Sequence, residues 1–89
     1  MYAIISVAGP DHSGIIAAVA SELARMDVNI HNVSQTIMDG FFTMILHVAW
    51  DENQHTIVEL QEKMTAVGEQ EKLVIRIQSE ALFTAMNEI

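Results

Sequence analysis

Apolar positions along the chain fall into two rhythms. Tyr2 to Ala8 is almost continuously apolar and ends at Gly9-Pro10, which predicts a strand, because proline cannot donate to a sheet ladder. From about Ser13 to Met26 the spacing lengthens. Ile16, Val19, Leu23 and Met26 recur at helical intervals and predict one buried stripe, with Ser13 as the N-cap. Val28 to Met38 returns to alternation, but the phase slips: Val28 and Ile30 are in step, then Val33 and Ile37 take the other parity. A bulge near His31-Asn32, or a bend at the start of the strand, accounts for the slip. Asp39-Gly40 is a hairpin turn signal, since both residues tolerate positive φ. In the next strand Phe42, Met44, Leu46, Val48 and Trp50 share one face. The other face carries Phe41, Thr43, Ile45, His47 and Ala49, too apolar a set for solvent, so this strand is central or its second face is covered. Asp51 to Asn53 caps a second helix that turns Ile57, Leu60, Met64 and Val67 inward. Glu59 and Lys63 pair outside, and Gly68 ends the helix. A fourth strand runs from about Gln70 to Gln78. The tail SEALFTAMNEI makes a short helix offering Leu82, Phe83, Met86 and Ile89.

The order is therefore βαββαβ plus a terminal helix. With right-handed crossovers this gives an α+β, ferredoxin-like fold: a four-stranded antiparallel sheet with two helices on one face. Residues 1–89 read as a single domain, without linker, repeat or low-complexity segment.

Composition narrows the function. The chain has no cysteine, so neither a disulfide framework nor a thiolate metal cluster is possible. Its apolar runs fall short of the roughly 20 residues that span a membrane, and no basic stretch precedes an apolar one at the start. A cytoplasmic protein with no membrane partner is expected. Twelve acidic against four basic residues give a formal charge of −8, which repels phosphate backbones and argues against nucleic acid. The 51% hydrophobic content is high for so small an interior and points to a second subunit, most simply a homodimer.

Four histidines invite a metal hypothesis, yet none stands at HxH or HExxH spacing, and no metal or other cofactor is expected. His47 reads as structural or interfacial, and His55 as a surface residue of the second helix's first turn. Asp11, His12 and Ser13 carry the side chains of a nucleophile triad, but three adjacent residues cannot converge as a triad must. Acylphosphatase-type chemistry needs a cation in the loop; the arginines, Arg25 and Arg76, lie elsewhere. Catalysis is not expected.

Binding asks for less. In GPDHSGI, Gly9 and Gly14 flank a loop that empties into a helix N-terminus, where free N–H groups suit a carboxylate. In VNIHNVSQTI, Asn29, Asn32, Ser34 and Gln35 cluster where the apolar phase slips, and their amides both donate and accept, as an amino acid requires. A local backbone role around the bend is the alternative for Asn29 and Asn32, and for Asn29 alone it is the better account.

GPDHSGI entering the helix, MDVNI before the second strand and NVSQTIMDGFFTMIL after it together resemble the ACT domain, a small ligand-binding regulatory module. The last of these, with IRIQSEALFTAMNEI, is similar to an uncharacterised bacterial family of small stand-alone ACT-domain proteins. The resemblance covers essentially the whole chain. It implies a fold that pairs with itself or a partner domain and holds an amino acid or related metabolite between the paired domains. On this resemblance Gly14 matches the glycine at the loop-to-helix junction, and Asp11 and His12 the polar loop before it; Ser13, between them, joins the candidate set. Asn29 and Ile30 match the asparagine-hydrophobe pair facing ligand or interface; Asn32 and Gln35 complete the candidate set. With no catalytic domain attached, the module would regulate a separate protein in trans. The alternative is a protein-protein interaction or structural module with no small-molecule ligand.

Overall fold

The computed structural model describes residues 1–81. The elements are β1 (Tyr2–Pro10), α1 (Ile15–Arg25), β2 (Asn29–Met38), β3 (Phe41–Ala49), α2 (Ile57–Glu71) and β4 (Val74–Ser79). The strands form one antiparallel sheet in the order β2-β3-β1-β4. This is the ferredoxin-like βαββαβ fold, with both helices on one face.

Alternation in the two central strands builds the floor of the core. Ala3, Ile5 and Val7 of β1 stand in register with Val48, Leu46 and Met44 of β3, and all six are buried. Ile15, Val19 and Leu23 of α1 and Leu60, Met64 and Val67 of α2 close over them. No polar or charged residue is buried among the described residues. Apolar burial and backbone hydrogen bonding hold this interior, and the buried Trp50 indole N–H donates to the His55 carbonyl at 2.8 Å.

The phase slip in β2 is a register shift between Ile30 and Asn32, so that His31 is the extra residue. Asp39 at φ 51 and Gly40 at φ 78 form the two-residue turn between β2 and β3. The central position of β3 agrees with its two-sided apolar pattern, and among the described residues its outer face leaves Phe41 and Ile45 exposed.

Several local expectations are corrected. Ser13 does not cap α1. Gly14 occupies the N-cap at φ 91, and no side chain caps the helix. The stripe accordingly runs Ile15, Val19, Leu23, Met26, while Ile16 is 48% exposed. The cap of α2 is Thr56, in a capping box with Glu59, because Asp51 is spent on its own turn, accepting from the Asn53 N–H at 2.9 Å. Glu59 therefore turns back to Thr56 and His55 and not on to Lys63. Gly68 lies within α2, which continues to Glu71 and ends with Lys72 at φ 60, so β4 begins at Val74 and not at Gln70. The expected terminal helix, with Leu82, Phe83, Met86 and Ile89, lies outside the described residues.

Candidate functional site

The loop after β1 is pinned at both ends. The Asp11 N–H donates to the Gly40 carbonyl at 2.8 Å, fastening the loop to the β2–β3 turn. At the other end Gly14 starts α1 in a left-handed conformation that other residues adopt only with strain. A Cβ there would meet nothing within 4 Å, so the glycine serves the backbone and not a close approach.

Between this loop and the helix-side face of β2 lies a hollow of about 300 Å³. Asp11, His12, Ser13 and Gly14 form one wall, the start of α1 from Ile15 to Ala17 continues it, and Gln35, Ile37 and Phe42 complete it. The register explains the far wall. Gln35 pairs with Met44 and Ile37 with Phe42, whose side chains face the helices, so Gln35 and Ile37 share that face. The first-turn N–H groups of α1 have neither intrahelical acceptors nor a side-chain cap, and no acidic residue stands in that turn. The hollow thus joins an apolar floor to one carboxylate, one imidazole, one carboxamide and a helix N-terminus. Such a set can hold a small zwitterion or carboxylate.

The remaining expected residues lie elsewhere. Asn32 pairs with His47 on the opposite face, in a smaller hollow of about 150 Å³ with Val33, Ser34 and Ile45. Asn29 is exposed at the far end of β2, opposite Ala49, and Ile30 packs against the core, opposite Val48. By the register Asn29 stands about 17 Å and Ile30 about 13 Å along the strand from Gln35, at roughly 3.3 Å per residue. Within one chain the structure brings Asp11, His12, Ser13, Gly14 and Gln35 together, and leaves Asn29, Ile30 and Asn32 apart. Sequence reasoning missed Ile15, Ile16, Ala17, Ile37 and Phe42 as lining residues; the parity of Ile37 after the phase slip was the available signal.

The other histidines are accounted for by neighbours. The rings of Tyr2, His31 and His47 gather on the outer face with centroids 5.5 to 5.9 Å apart. His47 Nε2 also meets Glu80 Oε2 at 3.1 Å, and His55 Nδ1 meets Glu59 Oε2 at 3.1 Å. That last bond, with the Thr56 N–H behind it, holds the Glu59 carboxyl below its ordinary range. Arg25 is occupied by Glu22. Among the described residues no three His, Asp or Glu side chains are grouped to hold a metal ion.

Comparison with known proteins settles the family. The ACT-domain family model matches residues 1–78. The chain belongs to the ACT-domain family. A UPF0237 protein of Corynebacterium efficiens is 64% identical over 89 residues, all of both chains, and one from Listeria innocua is 39% identical over the same span. The solved ACT domain protein from Streptococcus pneumoniae superposes with a TM-score of 0.83 at 41% identity, covering 93% of each chain. A putative glycine cleavage system transcriptional repressor shares the fold, at TM-score 0.78 and 18% identity, over 86% of this chain and 44% of its own. ACT domains are in general small-molecule-binding regulatory modules. No described helix of this ACT domain is long and apolar enough to cross a membrane.

Proposed function

We propose that this ACT domain is a cytoplasmic sensor of an amino acid or related metabolite, bound at a homodimer interface, that regulates a separate protein in trans. The observation that carries the reading is the hollow between Asp11–Ala17 and Gln35, in which a helix N-terminus, a carboxylate and a carboxamide surround an apolar floor. Exposure of β2 supports the interface: of its ten residues only Ile30 is even half-buried, and the strand forms an open sheet edge beside the hollow. A second copy on that edge would add groups to a site that one chain leaves open, and would give Asn29 and Asn32 a partner. A thermal-shift screen of amino acids and related carboxylates tests the reading, because a ligand that binds only the native state raises its apparent stability. One or a few related compounds should raise the melting temperature, and calorimetry should return one site per chain. Absence of any shift or heat at millimolar concentrations, with a folded dimer, would defeat the amino-acid version.

A second reading, a protein-interaction module without a small ligand, is favoured by the outer face of the sheet. Tyr2, Phe41, Ile45 and Val74 are each more than 40% exposed there. A stoichiometric partner recovered from the native cell, with binding indifferent to metabolites, would select this reading over the first.

A further inference from the structure

His12 stands where the β1–α1 loop meets the last turn of α2. Its Nδ1 lies 3.0 Å from the Ser13 carbonyl oxygen, and its Nε2 lies 2.9 Å from the Glu71 carbonyl oxygen. Carbonyl oxygens only accept. A neutral imidazole carries one N–H, so it can serve one of these oxygens and must turn a lone pair on the other. An imidazolium donates to both. The bracket is therefore built for the protonated ring.

We propose that His12 is a proton-operated latch: as imidazolium it ties the Asp11–Gly14 loop to the C-terminal end of α2, and loss of its proton opens that tie. Most of the surroundings favour the cation; Lys72 and partial burial oppose it. Asp11 acts from the ring's own loop, and the Glu71 carboxylate lies 3.9 Å from Nε2. The α2 C-terminus adds the negative end of its dipole. Lys72, next in the chain, is the neighbouring cation of that turn. The bond to Ser13, then the bond to Glu71, holds the ring's pKa above its ordinary 6.5, outweighing the opposing effect of burial. Because the folded value is raised, the latch's contribution to stability is complete below about 6.5 and is lost as pH rises through the folded value. Since His12 also walls the hollow, the same proton sets how firmly that wall is held.

The test needs no ligand. With ¹⁵N-labelled histidine, the His12 ring is titrated by NMR in the folded chain and again in denaturant. Amide exchange of residues 11–15 is followed across the same pH range and corrected for intrinsic base catalysis. The latch requires a His12 midpoint above the denatured value, both ring nitrogens protonated below it, and several-fold faster loop exchange above it. His12→Gln, at an exposed position that should not affect folding, should make loop exchange independent of pH. Glu71→Gln keeps the backbone carbonyl, so the raised midpoint should largely survive. A midpoint at or below the denatured value would overturn the latch. So would loop amides indifferent to the titration, or a midpoint that collapses to the denatured value in Glu71→Gln, which would make the contact a side-chain ion pair.

Discussion

Gly68→Ala tests the packing of α2 against the start of β4, because two effects oppose each other there. In an ordinary helix interior the change gains about 1 kcal/mol of helix propensity. Here the new Cβ would stand 2.7 Å from the Leu73 carbonyl oxygen, where ordinary contact begins at 3.4 Å. Something must yield by about 0.7 Å, and the opposing atom is backbone. Leu73 cannot easily retreat. Its N–H donates to the Gly68 carbonyl at 2.8 Å, and its Cδ2 already lies 2.8 Å from where a Cβ on Gly9 would be. Two glycines, one on β1 and one on α2, thus bracket one buried leucine. Overpacking of this kind costs about 1–3 kcal/mol, and a pinned backbone places it in the upper half of that range. Subtracting the propensity gain leaves a net loss of about 1–2 kcal/mol, or roughly 5–15 °C in melting temperature for a domain of this size. Urea unfolding followed by circular dichroism, at fixed protein concentration, reads the difference. Thr65→Ala, at an exposed position of the same helix, is the control and should be neutral or slightly stabilising. If Gly68→Ala shifts stability in the same direction as the control, the steric argument is wrong.

Thr56→Ala removes the side-chain oxygen that accepts from the Glu59 N–H at 3.2 Å, and should cost about 1 kcal/mol in the same unfolding assay. Gly14→Ala meets no atom, so its cost should be the left-handed backbone alone, about 1–2 kcal/mol. A loss well beyond that would mean the site is packed more tightly than its open surroundings indicate. Ile45→Glu places a charge on the outer face of β3, where Ile45 is 42% exposed. If a second subunit covers that face, sedimentation equilibrium should show dissociation with native circular dichroism; an unchanged dimer would exclude the face and leave the β2 edge.

The fold was legible because its determinants are local and repeated. Alternation in β1 and β3, helical spacing in both helices and the Asp39-Gly40 turn each specify their element, and the slip of phase in β2 marked the extra residue at His31. Boundaries were harder, because one residue type serves several ends. Asp51 heads a turn and not a helix, so the cap falls to Thr56. Gly68 looks like a stop but is there for the close approach of Leu73, and the left-handed residue that ends α2 is a lysine. The loop half of the candidate site was legible for the same local reason: Asp11 to Gly14 are contiguous and lead into a helix. The strand half was not. Which residues of β2 face the hollow depends on parity downstream of the bulge, and this separates Gln35 from Asn32 on opposite faces.

The charge of −8 bears differently on two kinds of anion. A polyanion samples the whole surface, where twelve acidic residues stand against four basic ones and Arg25 is bound to Glu22. A small ligand in the hollow senses only groups within a Debye length, about 8 Å at physiological ionic strength. Within that wall the balance is local: the Asp11 carboxylate on one side, and the His12 ring and the uncapped N–H groups of α1 on the other. On the proposed reading, the ammonium of an amino acid belongs at Asp11 and its carboxylate at the helix start, with Ile15, Ile37 and Phe42 beneath its side chain. A zwitterion brings no net charge into the surrounding field, so its affinity should change little with salt. A purely anionic metabolite would instead add a net charge to that local balance, so its affinity should vary with salt.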